Sequence, residues 1–473
     1  MIGLNKFSSL SLPVRASIAY MVVNIVLKGW AFLSTPIFTR LMEPDQYGVV
    51  ATYYAMYELV FIVATFCLQG GIFNNGMVDY PDRRDEYAFS MLALSNLISL
   101  LSLFVMLGVW VAWGDDIGLN GQFLLLMFLS YFIQPAYGFW SAKQRYEYKY
   151  KFLAVISVLM VVIATVIAII LVYYAEADQR AYARLFGYEG TLLLFYVVSY
   201  VHLARKVAFK VNTAYWKPAL AFNAVLIPHY LSTYILSSSD RIMIANMVGD
   251  KEAGIYSLGY SIALVLMSVW VAINNSLIPF TYEKCKANNY ASISRATMPV
   301  VILFGGCCLL LILLSPEFLF FLAPPSYYDA LGLIPPIVGG IFFLSLYNVF
   351  SNIVYYHKKP RYVLIGSVAS ALLNIVLNFM LIPTFGYQVA AYTTLACYML
   401  QASIDYWAMY KVVGRNIYDT RVFLGISSCV VLVSLFGTLL YEYSGIRYGM
   451  MMLALIAVAR YKADIIKMVK MKS

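Results

Sequence analysis

Three basic side chains, Lys28, Arg184 and Arg241, fall within or at the edge of long apolar stretches of this chain. A charge at that depth persists where it binds an anion, pairs with a carboxylate or faces water. Arginine grips phosphate oxygens through two parallel hydrogen bonds, and lysine acts as a point charge. Lys28 shares a helix face with Asn24 at i−4 and Thr35 at i+7. Arg241 follows a polar series, His229, Thr233, Ser237 and Asp240, at helical spacing. It either meets an anion or pairs with Asp240 or Glu58. Arg184 and Arg40 either meet an anion or anchor the outer interface. Four carboxylates also sit in apolar surroundings: Asp240, Glu58, Glu189 and Asp405. They balance the cationic charge, form static ion pairs, or carry a proton or a sodium ion. Asn374 and Asn378, four residues apart, either join helices to one another or offer amides to a polar ligand.

These side chains need elements that span a membrane. The apolar stretches are 16–39, 47–71, 88–113, 122–142, 152–174, 182–204, 219–247, 253–280, 297–322, 332–356, 362–382, 386–410, 421–441 and 446–460. The last is short and carries Arg447. Each of the others approaches the roughly 20 residues that cross the hydrocarbon core. In lipid the backbone must satisfy its own hydrogen bonds, so the expected class is an all-α polytopic membrane protein with about fourteen spans. Pro36, Pro135, Pro228, Pro279, Pro335 and Pro336 predict kinks or unwound turns in them.

Charge distribution sets the orientation. Of 33 basic residues, 26 fall in alternate gaps, beginning with Lys6 and Arg15 and ending with the tail from Arg460 to Lys472. The other gaps hold only Arg40, Arg180, Lys251 and Arg447. Cytoplasmic loops retain Lys and Arg, so both termini are expected inside. The same bias accounts for the net charge of +10 without nucleic acid as a partner. The gaps leave no room for a folded catalytic or nucleotide-binding domain, and no phosphate-cradling glycine loop occurs. The six cysteines and three histidines show no metal-ligand spacing, so neither metal nor cofactor is expected.

A faint internal repeat organises the spans. Leu41–Val49 aligns with Met247–Ile255 at an offset of 206, bringing Gly48 onto Gly254 and Tyr54 onto Tyr260. Ala142–Tyr146 likewise resembles Tyr356–Pro360. Six helices per unit is an even number, so the two units insert the same way up and a site is expected between them. The expected domains are an N-lobe 1–210, a C-lobe 211–415, and an appended helix pair with a basic tail 416–473.

Three motifs carry a family resemblance. They are Thr35–Leu41 running into Glu43-Pro44 and Tyr47-Gly48; Ser239–Ile244 followed by Gly249 and Ala253–Tyr256; and Asn374, Asn378, Pro383 and Gly386 followed by Ala390, Ala391 and Thr394. Together they resemble the oligosaccharide flippase (Wzx-type) branch of the multidrug/oligosaccharidyl-lipid/polysaccharide exporter superfamily. The resemblance implies twelve core helices in two lobes around a central cavity. It implies flipping of an undecaprenyl-pyrophosphate-linked oligosaccharide, an O-antigen, capsule or exopolysaccharide unit, across the bacterial inner membrane by alternating access. It makes Lys28, Arg241, Asn24, Arg184, Arg40, Asn374 and Asn378 the substrate candidates, and Asp240, Glu58, Glu189 and Asp405 the coupling candidates for a proton or sodium gradient. A polysaccharide polymerase complex is an implied partner. The alternatives are a cation-coupled drug exporter or a lipid II flippase of the same superfamily. More remote is a membrane-embedded glycan-processing enzyme, which would need a large outer loop that this chain lacks.

Overall fold

Every regular element among the described residues is helical, and sixteen α-helices follow one another through short connections. The computed structural model describes residues 12–70, 72–113 and 120–460. Lys6 and the tail beyond Arg460 lie outside them. Among the described residues, eleven helices are long and apolar enough to cross a membrane. Two more have the length but not the apolarity. The helix Arg180–Lys206 (α7) carries Arg180, Arg184 and Glu189, and Val389–Val413 (α14) carries Gln401, Asp405 and Lys411. The last helix, Ser444–Arg460 (α16), has 17 residues. Its Arg447 is buried and forks onto Glu317 at 2.6 and 2.7 Å, while also donating to the Leu313 carbonyl at 2.6 Å. The charge that made this span doubtful in sequence therefore fastens it.

Two local expectations change. The stretch 297–322 is not one helix: Tyr290–Leu313 (α10) ends before Ser315–Leu322 (α11), with Pro316 in the first turn of the second. Pro335 and Pro336 do not kink a helix but open one, Ile334–Tyr356 (α12). The first turn has no internal acceptor for its N–H groups, so proline loses nothing there. Pro36, Pro135, Pro228 and Pro279 do lie inside helices.

The chain divides into two compact units, 1–231 and 232–473. The division falls inside Trp216–Met247 (α8). The first unit contains Leu12–Leu41 (α1), Pro44–Ala64 (α2), Ile72–Asp79 (α3), Arg84–Trp113 (α4), Gly121–Tyr146 (α5), Tyr150–Tyr174 (α6) and α7. Its core gathers Phe73, Tyr87 and Phe139, with Phe73 and Phe139 ring centroids 4.8 Å apart. Gly76 lies directly under Tyr87, where an added Cβ would come within 2.2 Å of the ring. The second unit contains Asp250–Lys286 (α9), α10, α11, α12, Pro360–Phe385 (α13), α14, Thr420–Phe436 (α15) and α16. Its axis is α12, with 19 of 23 residues buried, packed against α9, α14 and α15.

Helix starts match the repeat. α2 begins at Pro44 and α9 at Asp250, which keeps the offset of 206. One turn design also recurs three times. α5 ends at Tyr146 and α6 begins at Tyr150; α9 ends at Lys286 and α10 begins at Tyr290; α12 ends at Tyr356 and α13 begins at Pro360. In each, the residue before the new helix donates its N–H five residues back, as Lys149 does to Gln144, Asn289 to Lys284 and Lys359 to Val354. The residue before that is left-handed: Tyr148 (φ 53), Asn288 (φ 52) and Lys358 (φ 58). This is the Schellman closure, which normally takes glycine. In the first turn Glu147 lies 2.5 Å from Lys149 and 3.3 Å from Lys143. Partial burial works against its charge, but the two lysines hold the carboxyl below its usual range.

A side chain with a Cβ pays about 1–2 kcal/mol in the left-handed region, and glycine returns part of this as unfolded-state entropy. Tyr148→Gly and Lys358→Gly are therefore each expected to stabilise the protein by about 0.5–1 kcal/mol, read as a rise in melting temperature in detergent. Asn288→Gly should gain least, because asparagine tolerates this conformation. Equal gains at all three positions would contradict the account.

Candidate functional site

In the second unit, four helices bring polar side chains onto one buried carboxylate. Asp240, on α8, is 1% exposed. Its Oδ2 accepts from the Tyr256 hydroxyl of α9 at 2.6 Å and from the Thr394 hydroxyl of α14 at 2.7 Å. Its Oδ1 accepts from Asn378 Nδ2 of α13 at 2.6 Å. Asn378 in turn accepts from Thr393. Asn374 donates to Thr394 at 3.3 Å and accepts from Ser239 at 3.3 Å. Asn374, Asn378, Thr393 and Thr394 are all buried. Charge-assisted bonds from three neutral donors replace the water that an isolated carboxylate would need.

The geometry separates Arg241 from its neighbour. Asp240 and Arg241 form no salt bridge; the guanidinium lies 4.6 Å from the centre of the Tyr260 ring, a cation–π arrangement. Tyr260 lies beside Tyr256, the rings tilted by 33° with 6.2 Å between centroids. The arginine is half-buried, with one face on the ring. Of the polar series on α8, His229 is half-buried, Thr233 is exposed, and Ser237 bonds back to the Tyr234 carbonyl at 3.0 Å.

The first unit spreads its candidates over α1, α2 and α7. Lys28 and Asn24 are both exposed on α1. Arg40 is exposed, and its Nη1 donates to the Pro36 carbonyl of its own last turn at 3.0 Å. Arg184 stacks over Phe38 at 4.1 Å and Tyr47 at 4.9 Å. Beside it Arg180 donates to the Leu41 carbonyl at 2.5 Å, and the Gln46 side chain accepts from Ala181 N at 2.9 Å. The start of α7 thus holds the turn between α1 and α2. Glu189 is buried, and Tyr54 donates to it at 3.0 Å. Glu58 is exposed on α2. Asp405 is fully buried on α14, outside the Asp240 network.

Three candidates of the second unit, Asp240, Asn374 and Asn378, therefore meet through hydrogen bonds. The sequence motifs already contained Tyr256 and Thr394, but nothing in their spacing assigned them to Asp240. Thr393 was not singled out at all. Its signal is its place on α14, four residues before Cys397 and eight before Gln401, in a run of small and polar residues at every fourth position.

Comparison with known proteins adds the family. The pattern of the family described as "Polysaccharide biosynthesis protein" matches residues 14–283. A second family, MatE, matches residues 226–380. A Haemophilus influenzae protein named for the Lsg locus is 22% identical over 283 residues, covering 58% of this chain and 66% of that protein. An uncharacterised membrane protein of the same organism is 22% identical over 275 residues, with the same coverage. The match thus spans a little under two thirds of each relative's length. Among solved structures, the lipid II flippase MurJ in an inward closed conformation superposes with a TM-score of 0.64 at 14% identity, covering 96% of this chain and 100% of that one. An inward-facing multidrug resistance MATE transporter of the MOP superfamily gives 0.62 at 13% identity, covering 82% and 94%. At these identities the likeness is one of fold. The chain belongs to the polysaccharide biosynthesis protein family, and it is a multi-pass membrane protein with the fold of the multidrug/oligosaccharidyl-lipid/polysaccharide exporters.

Proposed function

We propose that this chain flips an undecaprenyl-pyrophosphate-linked oligosaccharide from the cytoplasmic to the outer leaflet of a bacterial inner membrane, by alternating access, with both termini cytoplasmic. The observation that carries the reading is Lys28. It is exposed on α1, nine residues from the start and thirteen from the end of the apolar segment Ala19–Leu41. At 1.5 Å per residue it lies about 14 Å from one end and about 20 Å from the other, beyond the reach of a snorkelling lysine. A charge held there suits a water-lined path with an anionic cargo. A pyrophosphate supplies that anion. Its sugars are too polar to cross hydrocarbon without partners, whereas the polyprenyl tail stays in lipid at almost no cost.

Arg241, Asn24, Arg184, Arg40, Asn374 and Asn378 are the further substrate candidates. The burial of Asn374 and Asn378 in the Asp240 network favours a role in joining helices for these two. Asp240, Glu58, Glu189 and Asp405 are the coupling candidates for a proton or sodium gradient. A polysaccharide polymerase complex would take the product at the outer face.

The MatE match over residues 226–380 supports a second reading, a cation-coupled exporter of small molecules. One experiment separates them. Deleting the gene should cause one lipid-linked glycan to accumulate on the cytoplasmic face, and purified protein in vesicles should move that lipid between leaflets. Normal surface glycan in the deletion strain, together with new drug sensitivity, would favour the exporter and end the flippase reading.

A further inference from the structure

The interface between α13 and α14 is a ladder of buried small and polar side chains. Asn378 meets Thr393 through a hydrogen bond. Asn374, one turn back on α13, bonds Thr394, the residue after Thr393 on α14. Two turns further along, a Cβ on Gly366 would lie 3.3 Å from Asp405 Oδ2. As one number falls the other rises, so the helices are antiparallel. The same register sets Asn374 beside Cys397 and Ser370 beside Gln401. Each rung steps four residues along both helices, and all eight residues are buried.

The two ends of the ladder differ. At the Asn378 end the polar groups are joined to Asp240 and to one another. At the Gly366 end they are not. Ser370 Oγ, Gln401 Oε1 and both oxygens of Asp405 are buried without a hydrogen-bond partner. Asp405 is 0% exposed, and it forms no salt bridge among the described residues. It lies eight residues, about 12 Å, before the end of α14.

The surroundings supply no counter-charge. α12 turns Tyr347 and Tyr355 toward this region. α13 brings Gly366 and Ser370, with Arg361 and Tyr362 only in its first turn. On α14 itself the titratable neighbours are Cys397, Tyr398 and Tyr406, and the cation Lys411 sits over the rings of Trp407 and Tyr362 at 4.8 and 5.4 Å. An ionised carboxylate enclosed in this way would be neither solvated nor paired. A protonated one is only a polar group. Its O–H is a donor, and Gln401 Oε1, one turn back on the same face, is an acceptor that lacks one.

We propose that Asp405 is a proton-binding site, held as the neutral acid at the open end of the α13–α14 ladder. The proton satisfies the carboxyl group and gives the Gln401 carbonyl the donor it needs. The site is distinct from Asp240, whose two oxygens already accept from three side-chain donors. Its use to couple transport rests on the flippase reading above; its occupancy by a proton does not.

The test is infrared spectroscopy of the full-length protein in lipid vesicles, with the proton itself as the probe. At neutral pH the wild type should show the carbonyl stretch of a protonated carboxylic acid, and the difference from Asp405→Asn should remove it. An amide is the isostere of a neutral acid, so Asp405→Asn should fold and melt at or above the wild-type temperature. The exposed carboxyl of the unfolded chain gives up its proton while the buried one still holds it, so wild-type stability should fall as pH rises, until the buried group ionises too. The Asp405→Asn protein should lack that component, and the gap between them should widen by several degrees. A carboxylate band at neutral pH that Asp405→Asn abolishes would overturn the proposal. So would failure of Asp405→Asn to fold, because that would show that the negative charge is required. Neither outcome depends on whether a lipid-linked glycan is the cargo.

Discussion

Asp240→Ala is expected to destabilise the second unit by about 3–5 kcal/mol, the cost of breaking a buried polar group with several partners. The carboxylate receives Tyr256, Thr394 and Asn378 from three other helices. Alanine strands all three donors in an apolar interior. Thr394 and Tyr256 share one oxygen, so no single neighbour can take over both bonds. Asp240→Asn should cost less, about 1–2 kcal/mol, since one carbonyl oxygen remains. Its amide would face the amide of Asn378, and Asn378 cannot flip freely because its oxygen already accepts from Thr393. Melting followed by tryptophan fluorescence in detergent gives both values. A wild-type melting temperature for Asp240→Ala would show that the network contributes no stability, leaving the residue free for coupling alone.

Lys28→Ala should lower export of the surface glycan roughly tenfold or more while the protein still inserts, because a hydrogen bond between charged groups is worth about 1.5–3 kcal/mol. Lys28→Arg should keep part of the activity. The guanidinium preserves the charge but replaces a compact ammonium by a planar fork. Export is read from surface glycan at native expression, with membrane protein quantified in parallel. Full activity in Lys28→Ala would mean that the exposed lysine does not receive the cargo's charge.

How far the sequence carried the architecture depends on the range of the interactions involved. Helix positions follow from local hydropathy, which was readable, while the N-caps Asn120, Asn289 and Asp419 came only with the structure. The repeat was readable because Gly48 and Tyr54 recur as Gly254 and Tyr260, 206 residues on. The pairings were not. Thr394 lies 154 residues from Asp240, and Arg447 lies 130 residues from Glu317. Nothing in composition selects those partners over other polar residues. Asp405 and Asp240 look alike in sequence, each an acid in an apolar run. Only packing shows that one has three donors and the other none. The fourfold spacing of Gly366, Ser370, Asn374 and Asn378, mirrored by Thr393, Cys397, Gln401 and Asp405, was present in the sequence. It reads as a seam only once the two helices are known to be antiparallel neighbours.

The three Schellman turns restrict how the molecule can move. Each joins its helices through three residues whose hydrogen bonds are already committed. Such a joint has no slack. The pairs α5–α6, α9–α10 and α12–α13 should therefore travel as stiff hairpins, pivoting together or not at all. Any bending must come from segments whose backbone is not so closed, such as the irregular stretch after α2, where Phe66 and Cys67 both adopt left-handed angles. In mechanical terms the chain is a linkage of rigid double bars with few permitted hinges, and a spin-label pair across any of the three turns should keep one fixed distance through a whole transport cycle.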